Sequence, residues 1–112
     1  MNRYQILIEY EGTLYNGWQI QKKGKSIQEN IEIVLSKLLK EKIKIYGSGR
    51  TDTGVHAIEQ SAHFDTTNKI IQKDKLLNSL NFFLNKKKIS ILKIKKKNKL
   101  FHSRYSAKER RY

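Results

Sequence analysis

An α+β fold with elements in the order β-α-β-β-α-β is predicted for this 112-residue chain by three observations. Four segments alternate apolar and polar residues as half-buried strands do, two carry apolar residues at helical spacing, and glycine- or polar-rich breaks separate them. A chain of this length accommodates one compact domain with a modest core.

The segment Tyr4-Gln5-Ile6-Leu7-Ile8-Glu9-Tyr10 alternates β-formers, and Glu11-Gly12-Thr13 and Asn16-Gly17 end it in a loop. Ser26 followed by Glu29 is a capping-box pattern that opens a helix over about 27–40, with Ile27, Ile31, Val34, Leu35, Leu38 and Leu39 on one face. Ile43 and Ile45 alternate with Lys42 and Lys44 as a strand that leads into a glycine turn. Beyond the turn, Ile58, Gln60, Ala62 and Phe64 oppose Glu59, Ser61, His63 and Asp65 in a third strand. Leu76, Leu77, Leu80, Phe83 and Leu84 form a second helical stripe, and Ile89-Ser90-Ile91-Leu92-Lys93-Ile94 a last strand before the basic stretch Lys95-Lys96-Lys97. This order is the ferredoxin-like split βαβ arrangement, an antiparallel sheet with both helices on one face and the other face open to a ligand. Residues 1–98 make up this domain, and 99–112 form a basic, aromatic connecting segment.

Lys and Arg number 24 against 10 Asp and Glu, a formal charge of +14 that points to a polyanionic partner such as RNA, DNA or an acidic membrane. The abundance of Lys, Ile and Asn and the absence of Pro show that part of this charge is compositional drift. No cysteine is present, which excludes disulfides, thiolate metal sites and cysteine nucleophiles. The start Met1-Asn2-Arg3-Tyr4-Gln5 has no apolar leader, and no apolar run approaches the roughly 18 residues of a membrane span. The expectation is a soluble, cytoplasmic protein.

The run Gly47-Ser48-Gly49-Arg50-Thr51-Asp52-Thr53-Gly54-Val55-His56-Ala57 places one acidic residue inside a glycine-flanked turn of a basic chain. Such a carboxylate can be aimed by backbone shape and held ionised by the arginine two residues before it. Arg50 would pair with Asp52 and lower its pKa, by about 1–3 units for a carboxylate beside an arginine; the bland counterpart is an ordinary surface ion pair. Read as a dinucleotide fingerprint the run fails, because Asp52 stands at the third glycine position and no helix follows directly. No Gly-Lys-Ser/Thr occurs either, so a phosphate-binding loop of the Walker type is excluded. A tight hairpin-like connection is the structural alternative. An RNA-recognition sheet with closely spaced aromatics is disfavoured, since Tyr46 and Phe64 stand alone in their strands. His56, His63 and His102 lack acidic partners at ligand spacing, so no metal is implied. Trp18 and Tyr15 suit packing of their loop onto the sheet better than stacking on bases. The lysine clusters 22–25, 86–88 and 95–97 suit phosphates without sequence readout, or a solvated face.

Together with Gln60-Ser61-Ala62-His63-Phe64, the glycine-flanked run resembles the signature of the TruA-type tRNA pseudouridine synthases. The likeness covers nearly the whole chain. Tyr10-Glu11-Gly12-Thr13-Leu14-Tyr15-Asn16-Gly17-Trp18-Gln19-Ile20-Gln21 is similar to that family's early Tyr-Asp-Gly…Tyr-x-Gly-Trp-Gln-x-Gln motif, with Glu11 in place of Asp. Phe101-His102-Ser103-Arg104-Tyr105-Ser106-Ala107-Lys108-Glu109-Arg110-Arg111-Tyr112 resembles its Phe-His-Ala-Arg-Phe-Ser-Ala…Arg-Arg-Tyr segment. The resemblance implies an isomerase that acts on uridines of the tRNA anticodon stem-loop, around positions 38 to 40, with Asp52 catalytic. No cofactor is implied. It places Tyr112 against the target base and Arg50 beside Asp52 or the RNA, and leaves Lys22, Lys23, Arg104, Arg110 and Arg111 to contact RNA. TruA-type enzymes are about twice as long, their second half completing the cleft. The resemblance therefore implies a homodimer that replaces that half, an inactive tRNA-binding domain, or a truncated reading frame.

Overall fold

A computed structural model describes residues 1–12, 26–52 and 57–98, with the side chains of 48–52 outside the description. The elements are β1 (Asn2–Glu11), α1 (Ile27–Leu39), β2 (Ile45–Asp52), β3 (Ala57–Thr66), α2 (Lys73–Leu84) with a 3-10 turn over Asn85–Lys87, and β4 (Ile89–Lys97). The strands form one antiparallel sheet in the order β2-β3-β1-β4, the ferredoxin-like arrangement expected from the sequence.

Helix α1 begins where the capping box places it. The Ser26 hydroxyl accepts from the Glu29 N–H at 3.1 Å, and the Glu29 carboxylate accepts from the Ser26 N–H at 3.2 Å. The helix closes at Lys40, a left-handed residue with φ of 55° whose N–H reaches Ser36 O. Ile27, Ile31 and Leu35 are fully buried, and the polar Asn30 is buried too, its side-chain amide donating to Ser26 O at 2.9 Å.

The core lies between the helices and one face of the sheet. Tyr4, Ile6, Ile8 and Tyr10 of β1 pair in register with Phe64, Ala62, Gln60 and Ile58 of β3, so one alternating set from each strand points to the helices. Ile43 just before β2, Ile45 at its start, Leu80 and Leu84 of α2, and Ile89, Ile91 and Ile94 of β4 complete it. Tyr4 stacks on Phe64 with ring centroids 5.8 Å apart, and its hydroxyl accepts from the Ile70 N–H at 2.8 Å.

Two boundaries differ from the sequence expectation. Strand β2 does not stop at the glycines but runs through them to Asp52, with a register irregularity between Gly47 and Arg50. Gly47 pairs with Ala62 and Arg50 with Gln60, leaving Ser48 and Gly49 opposite Ser61 alone, a bulge at which glycine is tolerated inside a strand. Strand β4 extends through Lys95-Lys96-Lys97, because these residues pair with Gln5, Tyr4 and Arg3 of β1. Lysines on an edge strand also resist pairing with another chain. Among the described residues no helix is long and apolar enough to cross a membrane.

Candidate active site and the helix-free face

Asp52 is the last residue of an edge strand, and that strand is held by backbone hydrogen bonds on one side and by helix side chains where it starts. The Ile45 N–H donates to the Glu32 carboxylate at 2.9 Å, Gln28 Nε2 donates to Ile45 O at 3.3 Å, and the Ile43 N–H donates to Ser36 Oγ at 2.9 Å. One face of α1 therefore satisfies the backbone at the entry to β2 where the sheet does not. After the bulge, Arg50, Thr51 and Asp52 pair with Gln60, Glu59 and Ile58 of β3. The rung of Asp52 continues through Ile58 and Tyr10 to Ile89 across the whole sheet.

At this end β1 and β2 finish while β3 and β4 begin, and the Glu11 N–H donates to Lys88 O at 3.2 Å. A depression of about 220 Å³ opens here, lined by Glu9, Tyr10, Glu11, Ala57, Lys88 and Ser90 among others. Glu11 of the early tyrosine–glycine motif and Asp52 both stand at strand ends here, so the topology brings to one end of the sheet two residues some 40 apart in the chain. Strand β4 ends at the opposite end, at Lys97, and the last motif lies outside the described residues. Glu9 and Glu59 face each other on adjacent strands one rung from Asp52, a like-charge pair that costs stability and is unexplained by packing.

Of the residues singled out from the sequence, Lys22, Lys23, Arg104, Arg110, Arg111 and Tyr112 lie outside the described residues, as do His56 and His102. Arg50 and Asp52 have described backbones only, so the ion pair expected between them lies outside the description too. Asp52 belongs to a strand end rather than the interior of a turn, because the bulge lets pairing resume after the glycines.

Periodicity did not reveal how the helix-free face is organised. Tyr46, read as solitary, stacks on His63 at 5.3 Å between centroids and 26° between planes, while Phe64 is in the core on the other face. The clue was available in the alternation, since Tyr46 and His63 both fall at out-of-core positions, but the register that makes them neighbours was not. Beside them Arg3 binds Asp65 in two bonds of 2.7 and 2.9 Å. This forked contact holds the Asp65 carboxyl below its ordinary range, chiefly through hydrogen bonding, and raises Arg3 further. Gln5 Nε2 donates to Ser61 Oγ at 2.8 Å on the same face. Among the described residues no group of three His, Asp or Glu side chains is placed to share a metal ion.

The sequence matches the family model described as tRNA pseudouridine synthase over residues 6–106. It is 63% identical to tRNA pseudouridine synthase A of Pelagibacter ubique over 112 residues, covering 100% of this chain and 46% of that protein. It is 46% identical to the protein of the same name from Neorickettsia sennetsu, covering 98% of this chain and 45% of that one. For the Acinetobacter baumannii protein of that name the identity is 48%, with 100% of this chain and 42% of the relative covered. The chain thus spans under half the length of the curated relatives it matches.

Proposed function

This chain belongs to the tRNA pseudouridine synthase family, and from that premise we propose that it is the Asp52-bearing half of an isomerase converting uridine to pseudouridine in tRNA. The uridines lie in the anticodon stem-loop, around positions 38 to 40. The observation that carries the reading is the placement of Asp52 at the end of a bulged edge strand, at the end of the sheet where Glu11 of the early tyrosine–glycine motif also stands.

The chemistry needs one carboxylate and no cofactor. Ionised Asp52 attacks the sugar C1′ or the base C6, or removes the C2′ proton; the N1–C1′ bond breaks, the uracil turns, and C5 takes the place of N1 before losing its proton. Arg50 favours the anionic form and touches the RNA or the space a flipped base leaves. Tyr112 stacks on the target base. The segment 99–112 can extend by up to about 50 Å, against about 30 Å for the length of β4, so its starting point at the far end of the sheet does not prevent Tyr112 from reaching Asp52. Lys22, Lys23, Arg104, Arg110 and Arg111 contribute phosphate contacts. Residues 1–98 form the half-domain and 99–112 connect it to the second wall of the cleft, which a longer polypeptide or a second copy of this chain provides. The proposed site of action is the cytoplasm.

The test is single-turnover release of tritium from C5-tritiated uridine in unmodified tRNA, with protein in excess. Wild type should release tritium, and Asp52→Ala should release none while still binding tRNA. Release by Asp52→Ala would overturn the catalytic assignment. Binding without release by the wild type would make this chain a catalytically silent tRNA-binding domain.

A further inference from the structure

We propose that the helix-free face of the sheet is an RNA-docking surface, on which phosphates of an unpaired tRNA segment run along Lys93, Lys95 and Lys97 of β4 while one base stacks on Tyr46. The inference rests on the tRNA reading above and adds a surface that the Asp52 site does not include.

Register places these groups together. Lys95 pairs with Gln5, Gln5 with His63 and His63 with Tyr46, so a single rung crosses all four strands from a lysine at one edge to an aromatic pair at the other. Lys97 and Lys93 occupy the neighbouring same-face rungs, opposite Arg3 and Leu7. Alternate residues of a strand recur every ~6.7 Å, close to the separation of successive phosphates along one nucleic-acid strand, so the three lysines leave the strand at a matching pitch. They line a depression of about 260 Å³ with Gln5, Leu7 and Glu59. Lys93 and Lys95 are exposed and make no ion pair among the described residues, whereas the nearby Arg3 is engaged by Asp65.

Tyr46 is prepared for stacking. Tyr46 is 50% exposed although its ring lies against that of His63, which is itself only 2% exposed. A ring already fixed by one stack loses little freedom when a base covers its open side. Three strand spacings, about 14 Å, separate Tyr46 from Lys95, a gap that a lysine side chain and one nucleotide together bridge. Stacking of this kind needs an unpaired base, which selects looped or single-stranded RNA over a duplex.

Charge also decides the occupant and the limits of its path. A second copy laid face to face would set one lysine row of a +14 chain near another. Glu9 and Glu59, facing each other toward the Asp52 end, repel phosphates and confine the strand to the half of the face around Arg3, Gln5 and Leu7.

The experiment measures binding of unmodified tRNA by the 112-residue chain across a salt series. Lys93→Gln/Lys95→Gln/Lys97→Gln is compared with Lys37→Gln/Lys42→Gln/Lys75→Gln, which removes the same charge from exposed positions elsewhere. The face variant should bind at least about tenfold more weakly and flatten the slope of log affinity against log salt by about 2, at ~0.7 per single-strand contact. The control should keep its slope. Tyr46→Ala should lose about tenfold, the low end of one base stack, and Tyr46→Phe should restore binding to within about twofold. Thermal melts confirm that each variant is folded. Equal effects of the two lysine sets, or unchanged binding by Tyr46→Ala, would overturn the proposal, as would a face variant that alters self-association rather than tRNA affinity. Tritium release by wild type with face-independent binding would sink this inference alone. Face-dependent binding without release would leave it standing and sink the enzymatic reading.

Discussion

Replacing Glu32 by alanine removes the acceptor that fixes the start of β2, the strand that ends in Asp52. The Glu32 carboxylate accepts from the Ile45 N–H at 2.9 Å and from Gln28 Nε2 at 3.2 Å, and Gln28 in turn donates to Ile45 O at 3.3 Å. A hydrogen bond to a charged group contributes about 1.5–3 kcal/mol, and a part-buried N–H left without an acceptor adds to the loss. Alanine recovers a few tenths of a kcal/mol because it is the better helix former. The expected net loss is about 2 kcal/mol, or a Tm lower by about 8 °C for a domain of this size. Urea unfolding followed by circular dichroism should show a lower midpoint at unchanged m-value, and hydrogen exchange should speed up first at the Ile45 amide. Glu32→Gln keeps an acceptor oxygen and should lose less than about 1 kcal/mol. A Glu32→Ala protein within about 0.5 kcal/mol of wild type, or a Gln variant as damaged as the Ala one, would refute the claim that this contact holds the edge strand.

The other edge offers a parallel case. Asn81 of α2 accepts from the Ile91 N–H at 2.7 Å and donates to Ile91 O at 3.0 Å, where the β1–β4 register shifts because Ile91 pairs with Ile8 and Lys93 with Leu7, leaving Leu92 as an extra residue. Asn81→Ala should cost about 2 kcal/mol for two bonds and an orphaned N–H, read by the same urea melts, and a change below about 0.5 kcal/mol would count against it. In acid, Asp65 is depressed by Arg3, and Glu41 by hydrogen bonds from Thr66, then Thr67 and Asn68. Both carboxyls bind protons more readily in the unfolded chain, so their stabilisation is complete above the ordinary values of 3.8 and 4.5 and is lost as pH falls through the lower folded ones. The urea midpoint should hold steady down to about pH 5 and then fall, and Asp65→Asn/Glu41→Gln should show a shallower acid limb. An identical limb in that variant would assign the acid sensitivity to other groups.

Much of this domain is legible locally. The alternation in Tyr4–Tyr10 and Ile58–Asp65 identifies which residues of β1 and β3 face the helices, and Ser26 with Glu29 marks the first residue of α1. These are short-range effects, since the backbone period and a three-residue capping contact need no knowledge of the rest of the chain. Asp52 and its flanking glycines are visible in the same way, as residue types at fixed spacing.

Other features depended on partners distant in sequence. Gly47 to Asp52 reads as a turn when taken alone, yet it is strand, because Ala62, Gln60 and Ile58 offer pairing on both sides of a bulge. Lys95 to Lys97 reads as a basic stretch after the last strand but becomes the end of β4 by pairing with Arg3 to Gln5, more than 85 residues earlier. The neighbours Tyr46 and His63, and the rung that joins them to Gln5 and Lys95, exist only in the assembled sheet. Periodicity assigns a residue to a face, but register assigns its neighbours. Register is settled by the core as a whole, where shifting β1 by a residue would turn Tyr4, Ile6 and Ile8 out to water.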